Sequence, residues 1–158
     1  KSKITSDKLY SYRNDAGQVT SRIQPETRPL QGQSDHIGNL AFIYKSPKLG
    51  LDLQTAFVYT GTRIALVSPY YGLDYWQAPT KQLDFSAEKR FAKRFSVYAK
   101  VNNLTNTPYI LALHQSYKNY LTAPGARPLA LQSDVNNQII VQKDFFKTNY
   151  LIGLRYKL

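Results

Sequence analysis

The stretch that decides the fold is the last nine residues, Tyr150-Leu-Ile-Gly-Leu-Arg-Tyr-Lys-Leu158. Successive side chains of a strand point to opposite faces. Tyr150, Ile152, Leu154, Tyr156 and Leu158 therefore share one face, while Leu151, Gly153, Arg155 and Lys157 share the other. One side is apolar with aromatic ends, and both charges lie opposite it. Such a segment calls for hydrocarbon on one flank and polar surroundings on the other. A transmembrane β-barrel supplies both, because a charge on its lipid face costs about 2–4 kcal/mol at the bilayer midplane.

The composition agrees with two-faced strands. Among 158 residues there are 13 Tyr and 13% aromatics, yet only 20% charged residues, and the mean hydropathy is negative. No run approaches the roughly 20 apolar residues of a membrane-spanning helix, which excludes a helical membrane protein. Cysteine is absent, so neither a disulfide framework nor a thiolate metal site exists. The chain starts at Lys1 and shows no signal peptide, which leads us to expect a piece of a longer polypeptide. The net charge of +11 raises a nucleic-acid reading. The 21 Lys and Arg are scattered, however, with no basic helix, zinc motif or RNA-binding aromatic signature. We expect no nucleic-acid partner and assign the charge to loops and rims.

Period-two alternation and turn chemistry predict five strands, at about 35–45, 51–65, 80–90, 95–104 and 136–158. The expected outward rows are Gly38, Leu40, Phe42, Tyr44; Leu51, Leu53, Thr55, Phe57, Tyr59; Leu83, Phe85, Ala87; and Phe95, Val97, Ala99, Val101. The opposite rows carry Asp52, Asp84, Glu88, Arg90, Lys100 and Arg155. Ser46-Pro-Lys-Leu-Gly50 closes a tight turn, with proline fixing one backbone angle and glycine freeing another. Connections alternate between short, at 46–50 and 91–94, and long, at 66–79 and 104–135. Outer-membrane barrels have short periplasmic turns and long extracellular loops. The parity puts the C-terminus in the periplasm and residues 1–33 in an extracellular loop. Five strands cannot close a barrel, which needs about eight at least, so further strands are expected beyond residues 1–158.

Several strings in this order resemble the C-terminal end of a TonB-dependent outer-membrane receptor of the kind abundant in Bacteroidetes. They are Arg28-Pro-Leu-Gln-Gly-Gln-Ser34, Gln82-Leu-Asp-Phe-Ser86 before a basic turn, Val101-Asn-Asn-Leu-Thr-Asn-Thr-Pro-Tyr109, and Gly153-Leu-Arg-Tyr-Lys-Leu158. Gly153, Tyr156 and Leu158 match the terminal signature for barrel insertion. The chain departs from it in ending on Leu rather than Phe and in carrying Leu151 at the polar position. The resemblance implies an all-β, antiparallel transmembrane barrel, of which residues 1–158 form the C-terminal portion, with 22 strands and a plugged lumen. It implies location in the bacterial outer membrane and uptake of a siderophore, oligosaccharide or peptide. The implied partners are outer-membrane lipid and lipopolysaccharide, the rest of the barrel and its plug, the TonB complex through upstream residues, and a surface lipoprotein. The Tyr-Gly-x-Asp-Pro string of starch-utilisation receptors, which take such a lipoprotein, is absent.

No nucleophile elbow, phosphate loop or zinc-protease motif is present, and no His/Asp/Glu set has metal-ligand spacing. We expect no enzyme activity, no metal and no cofactor. Asp84 and Glu88 share a strand face, but a polar lumen wall accounts for them as well as an acid/base pair does. Aromatic residues crowd the two long loops. We take Tyr70, Tyr71, Tyr75, Trp76, His114 and Tyr117 as candidate substrate-binding residues, because amphipathic rings give contact area at little rotamer entropy. The alternative for each is packing of loop on loop or a place in the interfacial girdle. Two other classes fit the same residues. One is a passive porin or the scaffold barrel of an assembly or secretion complex; the other is a soluble β-sandwich binding carbohydrate through the same tyrosines.

Overall fold

The structure, a computed structural model, describes residues 2–91, 94–114 and 138–157. Its strands are β1 (Lys3–Arg13), β2 (Val19–Pro29), β3 (Ile37–Ser46), β4 (Leu51–Thr60), β5 (Arg63–Leu66), β6 (Tyr75–Gln77), β7 (Thr80–Arg90), β8 (Phe95–Asn102), β9 (Tyr109–His114), β10 (Gln138–Asp144) and β11 (Asn149–Tyr156). The protein is all-β, the ladders β1–β2, β3–β4, β4–β7, β7–β8, β8–β11, β5–β6 and β6–β9 are antiparallel, and no helix occurs among the described residues. The chain divides into two compact units. One comprises Lys1–Asp35, Thr62–Ala78 and Ile110–Lys143; the other comprises His36–Gly61, Pro79–Tyr109 and Asp144–Leu158.

The second unit is an open five-stranded sheet ordered β11-β8-β7-β4-β3. Its register aligns Leu40 with Phe57, Phe57 with Leu83, Phe85 with Val101, and Val101 with Tyr150. One face thus collects the apolar rows, and the other collects Asp52, Gln54, Ser86, Glu88, Ser96, Lys100 and Arg155. Because the side-chain period is two, a one-residue slip in any ladder would mix the faces. The turn after β3 is fixed by Gly50, at φ 60°, whose amide donates to Pro47 O at 3.3 Å. Its ideal Cβ position lies 2.9 Å from the Arg90 carbonyl oxygen, so a side chain there would collide with the neighbouring strand.

On the polar face Arg155 donates to Glu88 Oε2 at 2.8 Å, and Ser96 donates to Glu88 Oε1 at 2.8 Å. The Arg155 guanidinium also covers the Tyr98 ring at 5.5 Å. Tyr98 lies directly opposite Gly153 and occupies the space a Cβ would need. The glycine is therefore required by the ring packed across it. A shallow trough of about 240 Å³ lies on this face, with Lys45, Gln54, Tyr98, Lys100 and Arg155 among its lining.

The first unit contains the β1–β2 hairpin and a four-stranded sheet ordered β10-β9-β6-β5. Residues 1–33, expected as a loop, form mostly this hairpin. Its turn is Asn14-Asp-Ala-Gly17, with Gly17 at φ 77°, its amide donating to Asn14 O at 2.9 Å, and Asn14 Oδ1 accepting from the Gln18 amide at 2.9 Å. This is the hairpin connection that ends in a left-handed glycine. The long connections expected at 66–79 and 104–135 also hold strands, β6 and β9.

Two expected strands are interrupted. The stretch 51–65 breaks after Gly61, whose amide still donates to His36 O at 2.8 Å in the β3–β4 register, while β5 takes β6 as its partner instead. The stretch 136–158 breaks at residues 145–148, where side chains replace ladder bonds. Asn103 donates Nδ2 to Phe146 O at 3.2 Å, and Thr148 donates to Asn103 O at 3.1 Å. Asn103 and Asn106 sit at φ 56° and 46°, left-handed positions that asparagine tolerates better than other side chains. The Asn-Leu-Thr-Asn string is thus a turn that ties β7, β8 and β11 together.

Candidate functional site

The six candidate binding residues are spread over different surfaces, and Tyr117 lies outside the described residues. Trp76 stands in a cross-strand row with Ile64 and Ala112. These last two are the buried apolar side chains among the described residues, at 0% and 3% exposure. His114 lies two residues beyond Ala112 and hence on the same face. Its ring stacks on Trp76, with centroids 5.0 Å apart and planes 2° apart. Burial lowers the His114 pKa from its ordinary value of 6.5 by disfavouring the imidazolium. Tyr75 precedes Trp76 in the strand and so takes the opposite face, in register with Leu113 and Leu66.

Tyr70 and Tyr71 belong to the segment between β5 and β6, which lies along the edge of β1. The Leu9 amide donates to Pro69 O at 3.0 Å, and the Tyr71 amide donates to Leu9 O at 3.0 Å. Leu9 and Tyr70 form a parallel bridge. Tyr71 meets Tyr10 edge to face at 5.7 Å, Tyr10 stacks with Tyr12 at 5.8 Å, and the Arg22 guanidinium lies 5.3 Å and 5.6 Å from those two ring centroids. Tyr70 is 47% exposed. The result is an aromatic surface edged by one cation, suited to stacking a planar or sugar-like group.

Next to it along the same face of β1 lies a charge cluster that the sequence pattern does not announce. Lys8, at 3% exposure, and Asp74, at 4%, are buried. Lys8 Nζ donates to Asp74 Oδ1 at 2.5 Å and lies 2.5 Å from Glu26 Oε2. Glu26 Oε2 makes no hydrogen bond, so that contact is an ion pair alone. Asp74 Oδ1 also accepts the Ser68 amide at 2.8 Å, and Glu26 Oε1 accepts the Gly72 amide at 3.1 Å. Arg28 Nε stands 3.7 Å from Asp74 Oδ2, beyond hydrogen-bond reach. A buried ammonium is tolerable only with such partners. Together these contacts hold the hairpin on the segment that carries Tyr70 and Tyr71. A signal was present: the Asn-Asp-Ala-Gly turn marks a hairpin, and the Tyr10-Ser-Tyr12 alternation places both rings on one face.

Asp84 and Glu88, weighed as an acid/base pair, have separate partners. Asp84 accepts from Gln82 Nε2 at 3.1 Å and from the Asn103 amide at 2.9 Å, while Glu88 is held by Ser96 and Arg155. Among the described residues no three His, Asp or Glu side chains gather as a metal site. Comparison of the chain with protein-family models, curated proteins and solved structures gave no match.

Proposed function

We propose that this chain contributes wall, rim and part of the ligand site to a TonB-dependent outer-membrane importer. The carrying observation is the five-stranded sheet, which contains no buried apolar side chain among the described residues. On one of its faces Leu40, Phe42, Tyr150, Ile152, Leu154 and Tyr156 are 61–76% exposed. An apolar surface of this extent marks an interaction with a membrane or another protein. Charge on the opposite face and the closing string Gly153-Leu-Arg-Tyr-Lys-Leu158 favour a barrel wall in lipid. The open edges of β3 and β11 are then paired by further strands, since an exposed sheet edge is an aggregation hazard. Ligand is captured at the aromatic surfaces around Tyr71 and Trp76 and passes a plug under energy from the inner membrane. The chain's part is binding and enclosure.

Spin labels placed singly at Leu40, Phe57, Phe85, Val97 and Ile152, with the protein in phospholipid vesicles, test the wall. The reading expects high accessibility to oxygen and low accessibility to an aqueous nickel chelate at all five. Water-accessible labels at these positions would overturn it. Import separates from passive diffusion by dependence on the inner-membrane proton gradient.

A further inference from the structure

The register of the β1–β2 hairpin pairs Lys8 with Gln24, Tyr10 with Arg22 and Tyr12 with Thr20. All six share one face. Beside that face Lys8 and Arg28 are matched by Glu26 and Asp74, which leaves the charge of Arg22 over. Arg22 is exposed, whereas Tyr10 and Tyr12 are half-buried. Its guanidinium lies against both rings, and stacking on ring faces sets the plane of the group. One N–H donates to Gln24 Oε1 at 3.3 Å. Among the described residues no carboxylate pairs with Arg22, and its other N–H groups have no protein partner. A guanidinium carries five donors in a rigid fork that matches a carboxylate bidentately. The hairpin therefore holds a planar, oriented cation whose donor edge is unfilled.

We propose that Tyr10, Tyr12, Thr20 and Arg22 form a subsite for a uronate, a pyranose ring that carries a carboxylate. The inference deepens the reading that ligand is captured at this aromatic surface, and it rests on that part of the reading alone. The carboxylate takes the donor edge of Arg22. The C–H face of the sugar lies on the tyrosine row, where rings supply contact area at little rotamer entropy. Thr20 and Gln24 stand on either side of Arg22 in β2 and offer partners to the sugar hydroxyls. A neutral sugar would leave the cation unpaired. An arene carboxylate would leave the threonine and the glutamine unused.

The test is isothermal titration of the full chain, folded in detergent micelles, with trigalacturonate as the probe. Galactotriose has the ring without the carboxylate, and benzoate has the carboxylate without the pyranose. Each should bind at least about tenfold more weakly than trigalacturonate. Arg22→Gln should weaken trigalacturonate binding about tenfold, and Tyr12→Ser about fivefold. Arg22→Lys keeps the charge and loses the fork, so it should bind at least about threefold more weakly than the parent. Ile23→Lys, on the opposite face of the hairpin, should leave binding unchanged. No binding of trigalacturonate, equal binding of either control ligand, or parent-like binding by either Arg22 variant overturns the proposal. The spin label at Ile152 in phospholipid vesicles reads the wall separately. If it is shielded by lipid while trigalacturonate is not bound, the subsite alone falls. If it faces water while trigalacturonate is bound through Arg22, the importer falls and the subsite stands.

Discussion

The two units treat charge and hydrocarbon in opposite ways. In the hairpin unit Lys8 and Asp74 are buried, and Ile64 and Ala112 make a small apolar core. In the five-stranded sheet the Arg155–Glu88 and Arg90–Asp52 pairs have their arginines 63% and 49% exposed, and no apolar side chain is buried among the described residues. A hairpin with a polar inward face must specify its docking by charge partners, whereas a sheet with one apolar flank specifies its register by what that flank touches. The first unit carries its own interior. The second shows none among its described residues.

The widest separation between the units should come from removing one partner of a charge pair in each. Lys8→Met strands Asp74 and Glu26 and should cost about 3–5 kcal/mol. The Leu9 and Tyr71 amides should lose hydrogen-exchange protection while β3 and β4 keep theirs. Arg155→Met removes a solvent-facing partner and should cost about 0–1 kcal/mol. Equal losses would erase the distinction.

Two isoleucines of matched exposure provide the next test, Ile152 at 76% and Ile23 at 72%. For protein folded in phospholipid vesicles, urea titration should show Ile152→Lys costing about 2–4 kcal/mol. Ile23→Lys, on the hairpin, should stay within about 0.5 kcal/mol of the parent. Similar costs would remove the case for lipid at the sheet.

Overpacking within the sheet should have a smaller effect. Gly153→Ala drives a methyl group into the Tyr98 ring and should cost about 1–3 kcal/mol. Adding Tyr98→Ser should recover stability, as read by the same titration. No recovery would mean that the ring does not impose the glycine.

The smallest effect belongs to the stacked pair in the hairpin unit. Trp76 is the single tryptophan, so its fluorescence reports on His114. The folded state favours the neutral imidazole. The associated stability is therefore complete above the ordinary value of 6.5 and is lost as pH falls through the lowered folded value. An emission change with its midpoint below 6.5, abolished in His114→Gln, is expected. A midpoint at or above that value would contradict the burial account.

The sheet was legible in the sequence because most of its positions alternate in chemistry, with Ile37, Ile43, Val58 and Leu151 as exceptions on the polar face, and because Pro47 and Gly50 announce the turn. The outward rows of Leu40, Phe57, Phe85 and Ile152 follow from alternation alone. The hairpin was not legible by the same rule, since the row Ser6, Lys8, Tyr10, Tyr12 puts a cation where an apolar residue is expected. Its partner Asp74 lies 66 positions away, and no local pattern can link the two. The interruption after Gly61 depends on β5 taking β6 as its partner, and the one at 145–148 on the Asn103 and Thr148 side chains, which periodicity does not see. Trp76 and His114 were both candidates, and their pairing follows from strand register, which one strand alone does not define.

The hairpin has one further consequence, for polymerisation. Leu9 directs its amide and carbonyl away from β2 toward residues 69–71, which makes Leu9↔Ile23 a pair without mutual hydrogen bonds. By alternation, Pro25 and Pro29 occupy the same kind of position. Their backbone nitrogens therefore face the outer margin of β2, where an incoming strand from another molecule would look for donors and find two missing. The outer edge of β2 is thereby a poor template for chain-to-chain growth.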